Sequence, residues 1–137
     1  MKLPYVLLAE GDPEQSETFT TVFGKQIAYA TVSVVEDGKS LLTFLSGCGW
    51  KDLPDLIIIN TNLKDMTAPD ILREMLLDTR YLSIPKIIRM AEEDVKIIEE
   101  CRMLGVKHFL RKVESVFDFE TNVRSIDNLL KAHLNFH

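Results

Sequence analysis

Short apolar runs and amphipathic segments alternate along the chain, and this alternation constrains the fold more than any other feature. The apolar runs predict strands, at 5–9, 30–35, 56–60, 84–90 and 106–110. Between them, apolar residues recur at three- and four-residue spacing, which predicts helices. Strict alternation favours parallel strands with right-handed crossovers and helices on both faces. We therefore expect an α/β protein of flavodoxin-like, doubly wound (βα)5 type, with a five-stranded parallel sheet in the order 2-1-3-4-5.

Capping residues and apolar spacing place the predicted helices. Asp12 is expected to cap the first helix, with Pro13 in its first turn and Gln15 completing a capping box. Gly47 and Gly105 are expected to end the second helix and the fourth, which is predicted at 92–104. The residues expected to face the core are Phe19, Val22, Phe23, Leu41, Phe44, Leu45, Ile71, Leu72, Met75, Leu76, Val95, Ile98, Cys101, Val116, Phe119, Val123, Ile126 and Leu130.

Composition narrows the function classes. A chain of 137 residues is expected to form one domain over 1–137, and its 46% apolar and 27% charged residues are typical of a globular protein. A net charge of −5 argues against a nucleic-acid partner. Cys48 and Cys101 have no metal-site spacing and are interpreted as reduced thiols of a cytoplasmic protein. Apolar runs are too short for a membrane span, and the first residues do not form a signal peptide.

Four short segments follow the apolar runs at the places where parallel strands would end together. They are Glu10-Gly11-Asp12, Asn60-Thr61-Asn62, Met90-Ala91 and Arg111-Lys112-Val113. In open α/β sheets this edge is where ligands bind. The sequence therefore predicts its functional site at the carboxyl edge of the sheet.

Four motifs at these strand ends resemble one family. They are "VLLAEGDP", "PDLIIINTNLKDM", "IPKIIRMAEED" and "GVKHFLRKV", in the order and spacing of the receiver domains of two-component response regulators. The resemblance covers essentially the whole chain. Within the family the chain is most similar to stand-alone regulators associated with phytochrome-type kinases, because of its "DTRYLSIP" segment and a closing helix with no output domain after it.

The resemblance implies specific roles for the first and third strand ends. Such receivers bind Mg²⁺ through an acidic pair after strand one, and an Asp that ends strand three accepts a phosphoryl group. Glu10 matches the first acid, but Gly11 stands at the second position. Asn60 stands at the acceptor position, and Asn62 stands where a backbone carbonyl would bind the metal.

The resemblance also assigns residues after strands four and five. Receivers contact the phosphoryl oxygens through a Thr or Ser ending strand four and a Lys after strand five. Met90 replaces the hydroxyl residue, while Lys112 matches the lysine. Val113 stands where the family usually has proline, and Phe109 matches the aromatic switch residue.

These departures predict the loss of phosphorylation chemistry. Attack on phosphorus needs an anionic oxygen, and the amide of Asn60 is neutral. Mg²⁺ is usually held by one or two carboxylates with phosphate oxygens and water, so we expect no cofactor and Mg²⁺ at most weakly bound at Glu10. Lys112 is free to pair with Glu10. Arg89, in an otherwise apolar strand, is expected either to extend to the surface or to pair with an acid.

The predicted function is that of a non-enzymatic receiver that binds protein without phosphorylation. A histidine kinase or a downstream signalling protein is the expected partner, with no nucleic acid and no membrane involved. A homodimer through helix four, strand five and helix five is also possible, because oppositely charged residues lie on adjacent elements. The acids are Glu92, Glu93, Asp94, Glu99 and Glu100, and the bases are Lys107, Arg111 and Lys112.

Other interpretations of the same residues stay open. Asn60 also suits a strand-end amide that caps the following loop, and Lys112 suits an ordinary solvated lysine. Asn60 and Asn62 resemble the two Asp positions of haloacid-dehalogenase-type phosphatases, in which case the chain would be inactive as well. A flavodoxin is a further alternative, although "EGDPEQ" lacks the Ser, Thr and Gly that would hold a flavin phosphate.

Overall fold

The sheet has the predicted topology. The structure is a computed structural model that describes residues 3–112 and 115–135, with the backbone alone at residue 116. Five parallel strands are hydrogen-bonded in the order β2-β1-β3-β4-β5. The strands are Tyr5–Ala9 (β1), Thr31–Val35 (β2), Leu56–Asn60 (β3), Lys86–Met90 (β4) and His108–Arg111 (β5).

Helices cover both faces of the sheet. The α-helices are Pro13–Gln26 (α1), Gly38–Ser46 (α2), Ala68–Met75 (α3), Val95–Met103 (α4) and Val116–Asn135 (α5). Short 3-10 turns occur at Trp50–Asp52 and Thr79–Tyr81. The predicted flavodoxin-like (βα)5 fold is confirmed.

Two apolar layers enclose the sheet. One lies under α1 and α5 and contains Phe19, Phe23, Phe119 and Ile126. The other lies under α2, α3 and α4 and contains, among others, Cys101. Side chains alternate between these two faces along each strand, so β1 and β3 are buried throughout.

Side-chain caps fix the helix starts. Asp12 Oδ1 accepts a hydrogen bond of 3.0 Å from the Glu14 amide at the start of α1, as predicted. Asp94 caps α4 in the same way, so α4 begins at Val95 and not at residue 92. This start, three residues later than predicted, leaves Glu92 and Glu93 in the preceding loop.

Two residues predicted to face the core are exposed. Leu76 is 46% exposed because it lies at the carboxyl end of α3, one residue after the last helical residue. Val95 is 63% exposed because it is the first residue of α4 and so lies at the end of the helix. Val113 and the side chain of Val116 lie outside the described residues.

Within residues 3–112 and 115–135, no helix combines the length and the apolar character that crossing a membrane requires.

Candidate functional site at the carboxyl edge of the sheet

Three polar side chains are buried together where β1, β3 and β4 end. Glu10 follows β1, Asn60 ends β3, and Arg89 is the penultimate residue of β4; their exposures are 3%, 1% and 0%. All three project toward the face covered by α1 and α5, because each is two residues from a strand residue of that layer. With Lys112 they form what we call the Glu10 cluster.

The Glu10 carboxylate is surrounded by donors. Its Oε2 accepts hydrogen bonds from Asn60 Nδ2 at 2.7 Å and from the Asp12 amide at 3.1 Å. The Glu10 backbone is held as well, since its amide donates to the Val35 carbonyl at 2.9 Å. The carboxylate is therefore fixed in place by β2, β3 and the start of α1.

Lys112 forms an ion pair with Glu10. Its Nζ lies 3.1 Å from Glu10 Oε1 and 3.2 Å from Glu10 Oε2. The Lys112 backbone amide donates to the carbonyl of Met90, which extends the β4–β5 pairing by one residue and aims the side chain at β1. Its side chain is 13% exposed, so Lys112 is not an ordinary solvated lysine.

Arg89 supplies a second cation to the same carboxylate. Its Nη1 lies 3.5 Å from Glu10 Oε1, and its Nη2 lies 3.5 Å from Gln15 Oε1. The guanidinium carbon lies 5.4 Å from the ring centre of Phe19 and 5.6 Å from that of Phe119, within cation–π range. Burial lowers the pKa of Arg89, and the nearby Glu10 carboxylate opposes that shift.

Lys112 donates a hydrogen bond to Glu10 Oε2, whereas the contacts of Glu10 Oε1 with the two cations lack hydrogen-bond geometry. Glu10 Oε1, Arg89 Nε and Arg89 Nη1 have no hydrogen-bond partner of good geometry among the described residues. Oε1 nevertheless lies within ion-pair distance of both Arg89 and Lys112. Since attraction between full charges depends weakly on angle, we assign these contacts as ion pairs.

Asn60 links the strand to the following loop. Its Nδ2 donates to Glu10, and its Oδ1 accepts from the Asn62 amide at 3.2 Å. One side chain therefore both contacts Glu10 and caps the following loop. The Asn62 side chain is exposed.

Gly11, at the second predicted metal position, is exposed and adjoins β2. A Cβ built on Gly11 would lie 3.1 Å from the Glu36 carbonyl oxygen, so a larger residue requires a small shift of that strand end. Asp12, the next acid along the chain, uses its carboxylate to cap α1.

Met90 and Phe109 lie on the opposite face of the sheet from Glu10. Met90 is 4% exposed in the layer under α2, α3 and α4, and Phe109 packs against that layer. The Arg102 guanidinium carbon lies 5.4 Å from the Phe109 ring centre. The structure thus brings Lys112 and Asn60 to Glu10 but separates Met90 and Phe109 from them.

Arg89 is the residue that sequence reasoning did not place in the site. The sequence does indicate a buried partner for Arg89, because a cation in an apolar strand needs an opposite charge or hydrogen-bond acceptors. Arg89 is level with Asn60 in the β3–β4 register and reaches past Asn60 to Glu10. That contact joins strands that are not neighbours in the sheet.

The described residues do not fit a bound Mg²⁺ ion. Mg²⁺ prefers carboxylate and carbonyl oxygens in octahedral geometry, and the Glu10 oxygens already face two cations and two N–H donors. Across residues 3–112 and 115–135, no three His, Cys, Asp or Glu side chains group as metal ligands. The arrangement is suited to neutralising one buried carboxylate from within the protein.

Solved receiver domains have the same fold. The chain is similar to the phosphorylated cyanobacterial phytochrome response regulator RcpA, with 19% identity, 94% of each chain covered and a TM-score of 0.82. It is similar to the Mn²⁺-bound form of response regulator Rcp1, with 20% identity, 90% of this chain and 91% of that chain covered, and a TM-score of 0.78.

A third similar structure is response regulator RPA3017 in red light signaling of R. palustris, with 23% identity, coverage of 90% and 91%, and a TM-score of 0.78. No family model matches the chain, and the search of curated proteins gives no match. The strand order is shared with flavodoxins, but these neighbours are receivers. The chain therefore has the fold of response regulator receiver domains.

Proposed function

We propose that residues 1–137 form one atypical receiver domain that is not phosphorylated and that acts in the cytoplasm by binding other proteins. The observation that carries this proposal is the Asn60 side chain, which donates a 2.7 Å hydrogen bond to Glu10 from the position expected of the acceptor. The amide replaces the nucleophile and at the same time supplies a hydrogen bond that a second carboxylate could not.

The chemistry of the cluster supports this proposal. A neutral carboxamide oxygen is a far weaker nucleophile than a carboxylate. The Asn60 oxygen is also occupied, since it accepts the Asn62 amide. On the opposite face, Met90 offers no donor for a phosphoryl oxygen. We expect no enzymatic activity, no resident cofactor and at most weak Mg²⁺ binding.

Phosphoryl transfer from a small donor tests the proposal. The protein is incubated with acetyl phosphate and Mg²⁺, and its intact mass is measured at once. We expect no phosphoryl adduct on the wild type or on Asn62→Asp, which adds a carboxylate beside the acceptor position. A stoichiometric, hydroxylamine-sensitive adduct on the wild type would overturn the proposal.

The surface proposed for the protein partner is formed by α4, β5 and α5. A groove of about 240 Å³ lies between α4 and β5. Its lining is Met90, Glu93, Ile98, Phe109, Leu110 and Arg111. An apolar floor with one acid and one base beside it suits a protein contact, and Phe117 at the start of α5 is 74% exposed.

Three of the charged residues expected on this surface lie elsewhere, while the acids Glu92 and Glu99 are exposed. Glu100 is directed toward α3, where its Oε2 lies 3.1 Å from Arg73 Nη2. Lys112 pairs with Glu10, and Lys107 precedes β5 at the opposite edge of the sheet from Arg111. Glu93 and Arg111 remain as the charges beside the groove.

Sedimentation velocity at low and high salt tests self-association through this surface. A dimer should weaken with salt and weaken further in Arg111→Glu, whereas Lys51→Glu, a charge reversal at the exposed Trp50–Asp52 turn, should have no effect. A strictly monomeric protein at micromolar concentrations would exclude the homodimer and leave a different protein, such as a histidine kinase, as the partner.

A further inference from the structure

We propose that Arg89 is an internal counter-cation for Glu10, which takes over the charge-balancing role of a divalent metal ion and keeps metal out of the Glu10 cluster. This inference rests on the proposed function for the identity of the site. It makes a separate claim, namely that the missing carboxylates are not the sole reason for weak metal binding.

The Glu10 cluster contains more positive than negative charge. Among the described residues, one carboxylate, Glu10, lies within ion-pair distance of both Lys112 and Arg89, at 3.1 Å and 3.5 Å. The cluster therefore carries an excess positive charge before any ion arrives. A divalent cation would enter a buried site that already repels it, and burial strengthens that repulsion.

Arg89 stands at a position of β4 that faces an apolar layer. Along this strand, Ile87 is packed in the layer under α1 and α5, and alternation puts Arg89 on that same side. An apolar residue would fill this position at no electrostatic cost, whereas a fully buried cation is tolerated only when it is paired. Glu10 is the carboxylate it pairs with.

Two aromatic rings hold the Arg89 guanidinium in place. Phe19 from α1 and Phe119 from α5 both lie within 5.6 Å of it, and the side chain is 0% exposed. A guanidinium is positively charged at all pH values at which proteins fold. The cation is therefore held in place, and an incoming metal ion cannot displace it into solvent as it could displace a surface lysine.

Metal binding by matched variants tests the proposal. Gly11→Asp with Asn60→Asp restores both carboxylates, and the same background then receives Arg89→Met or Arg89→Lys. Free Mn²⁺ is counted by electron paramagnetic resonance during titration. We expect Arg89→Met to raise the Mn²⁺ affinity at least about tenfold, because a unit charge next to the site is removed. Arg89→Lys, which keeps the charge, should leave the affinity within about twofold.

Equal Mn²⁺ affinity with and without Arg89→Met would overturn the inference. The tight contact of Gly11 with Glu36 is common to every variant, so it does not affect the comparison. This result would leave the proposed function intact, since that function fails only if the wild type gains a phosphoryl adduct.

A wild-type measurement covers the case in which the variants do not fold. The Nε–H resonance of Arg89 is followed by ¹H–¹⁵N NMR while Mg²⁺ is added to about 10 mM. We expect a slowly exchanging signal that does not move, because the guanidinium is buried and no ion enters beside it. A saturable shift of this signal would show that metal reaches Glu10, and it would overturn the inference.

Discussion

Strand β4 carries a cation at each end, the half-buried Lys86 and the buried Arg89, and the two have different partners. At the amino end, Lys86 Nζ donates to the carbonyls of Tyr81 at 2.7 Å and Ile84 at 2.8 Å, and burial lowers its pKa to about 8. At the carboxyl end, Arg89 pairs with the Glu10 carboxylate. One cation is held by neutral dipoles and the other by an opposite charge.

The difference separates a structural role from a role in the site. Lys86 can lose its proton when the pH rises, since the carbonyls around it carry no net charge. Arg89 keeps its charge and so fixes the electrostatics of the edge where receivers carry out their chemistry. Removing the charge of Lys86 and removing that of Arg89 should therefore change the stability of the protein in different ways.

The largest expected effect comes from removing the carboxylate at the carboxyl end. Glu10→Gln leaves Arg89 buried without an opposite charge, which should lower the free energy of unfolding by about 3–5 kcal/mol. Urea denaturation at neutral pH measures this change. Glu17→Gln, at an exposed position of α1, is the control and should change the stability by less than about 0.5 kcal/mol. A similarly small loss in Glu10→Gln would show that the pair is not coupled to the fold.

Removing both members of the pair should be less harmful than removing the carboxylate alone. Adding Arg89→Met to Glu10→Gln replaces the unpaired cation with an apolar chain of similar length between Phe19 and Phe119. We expect the double variant to recover about 1–3 kcal/mol relative to Glu10→Gln. A double-mutant cycle from urea denaturation gives this value, and strict additivity would refute the pairing.

The change in stability caused by substituting Lys86, at the amino end of β4, should depend on pH, whereas the change caused by substituting Arg89, at the carboxyl end, should not. The folded-state pKa of Lys86 lies below that of the unfolded chain, so the cost of burying its charge is fully present below about pH 8. That cost is relieved as the pH rises toward the unfolded pKa. The wild type should therefore gain stability relative to Lys86→Met between about pH 7 and 9.5, while Arg89→Met shows no such trend. Parallel urea series at these pH values measure both differences.

The fold follows from the sequence almost completely, and its deviations have local causes. Strand β3 has the predicted bounds because its apolar run is bordered by polar residues on both sides. Strand β5 begins at His108, two residues later than predicted, because Val106 closes the end of α4 with a hydrogen bond from its amide to Cys101. Gly105 permits that turn with a φ of +100°.

The site is less completely predictable. The rule that parallel strands end at one edge places the segments of Glu10, Asn60 and Lys112 together, and the resemblance to receivers singles out these three residues. The contact of Arg89 does not follow, because β1 and β4 are separated by β3, and reaching Glu10 depends on the length and direction of one side chain. Sequence spacing gives the strand and the face of a residue, but not its partner across an intervening strand.

Thermal unfolding of the wild type with Mg²⁺ tests most directly whether Glu10 is neutralised from within. A site with a dissociation constant of about 1 mM would add roughly 1.4 kcal/mol at about 10 mM Mg²⁺. For a domain of this size that is a rise of roughly 5 °C in Tm. We predict a change below about 1 °C against a NaCl control of equal ionic strength. A saturable rise of several degrees that Glu10→Gln abolishes would contradict the account.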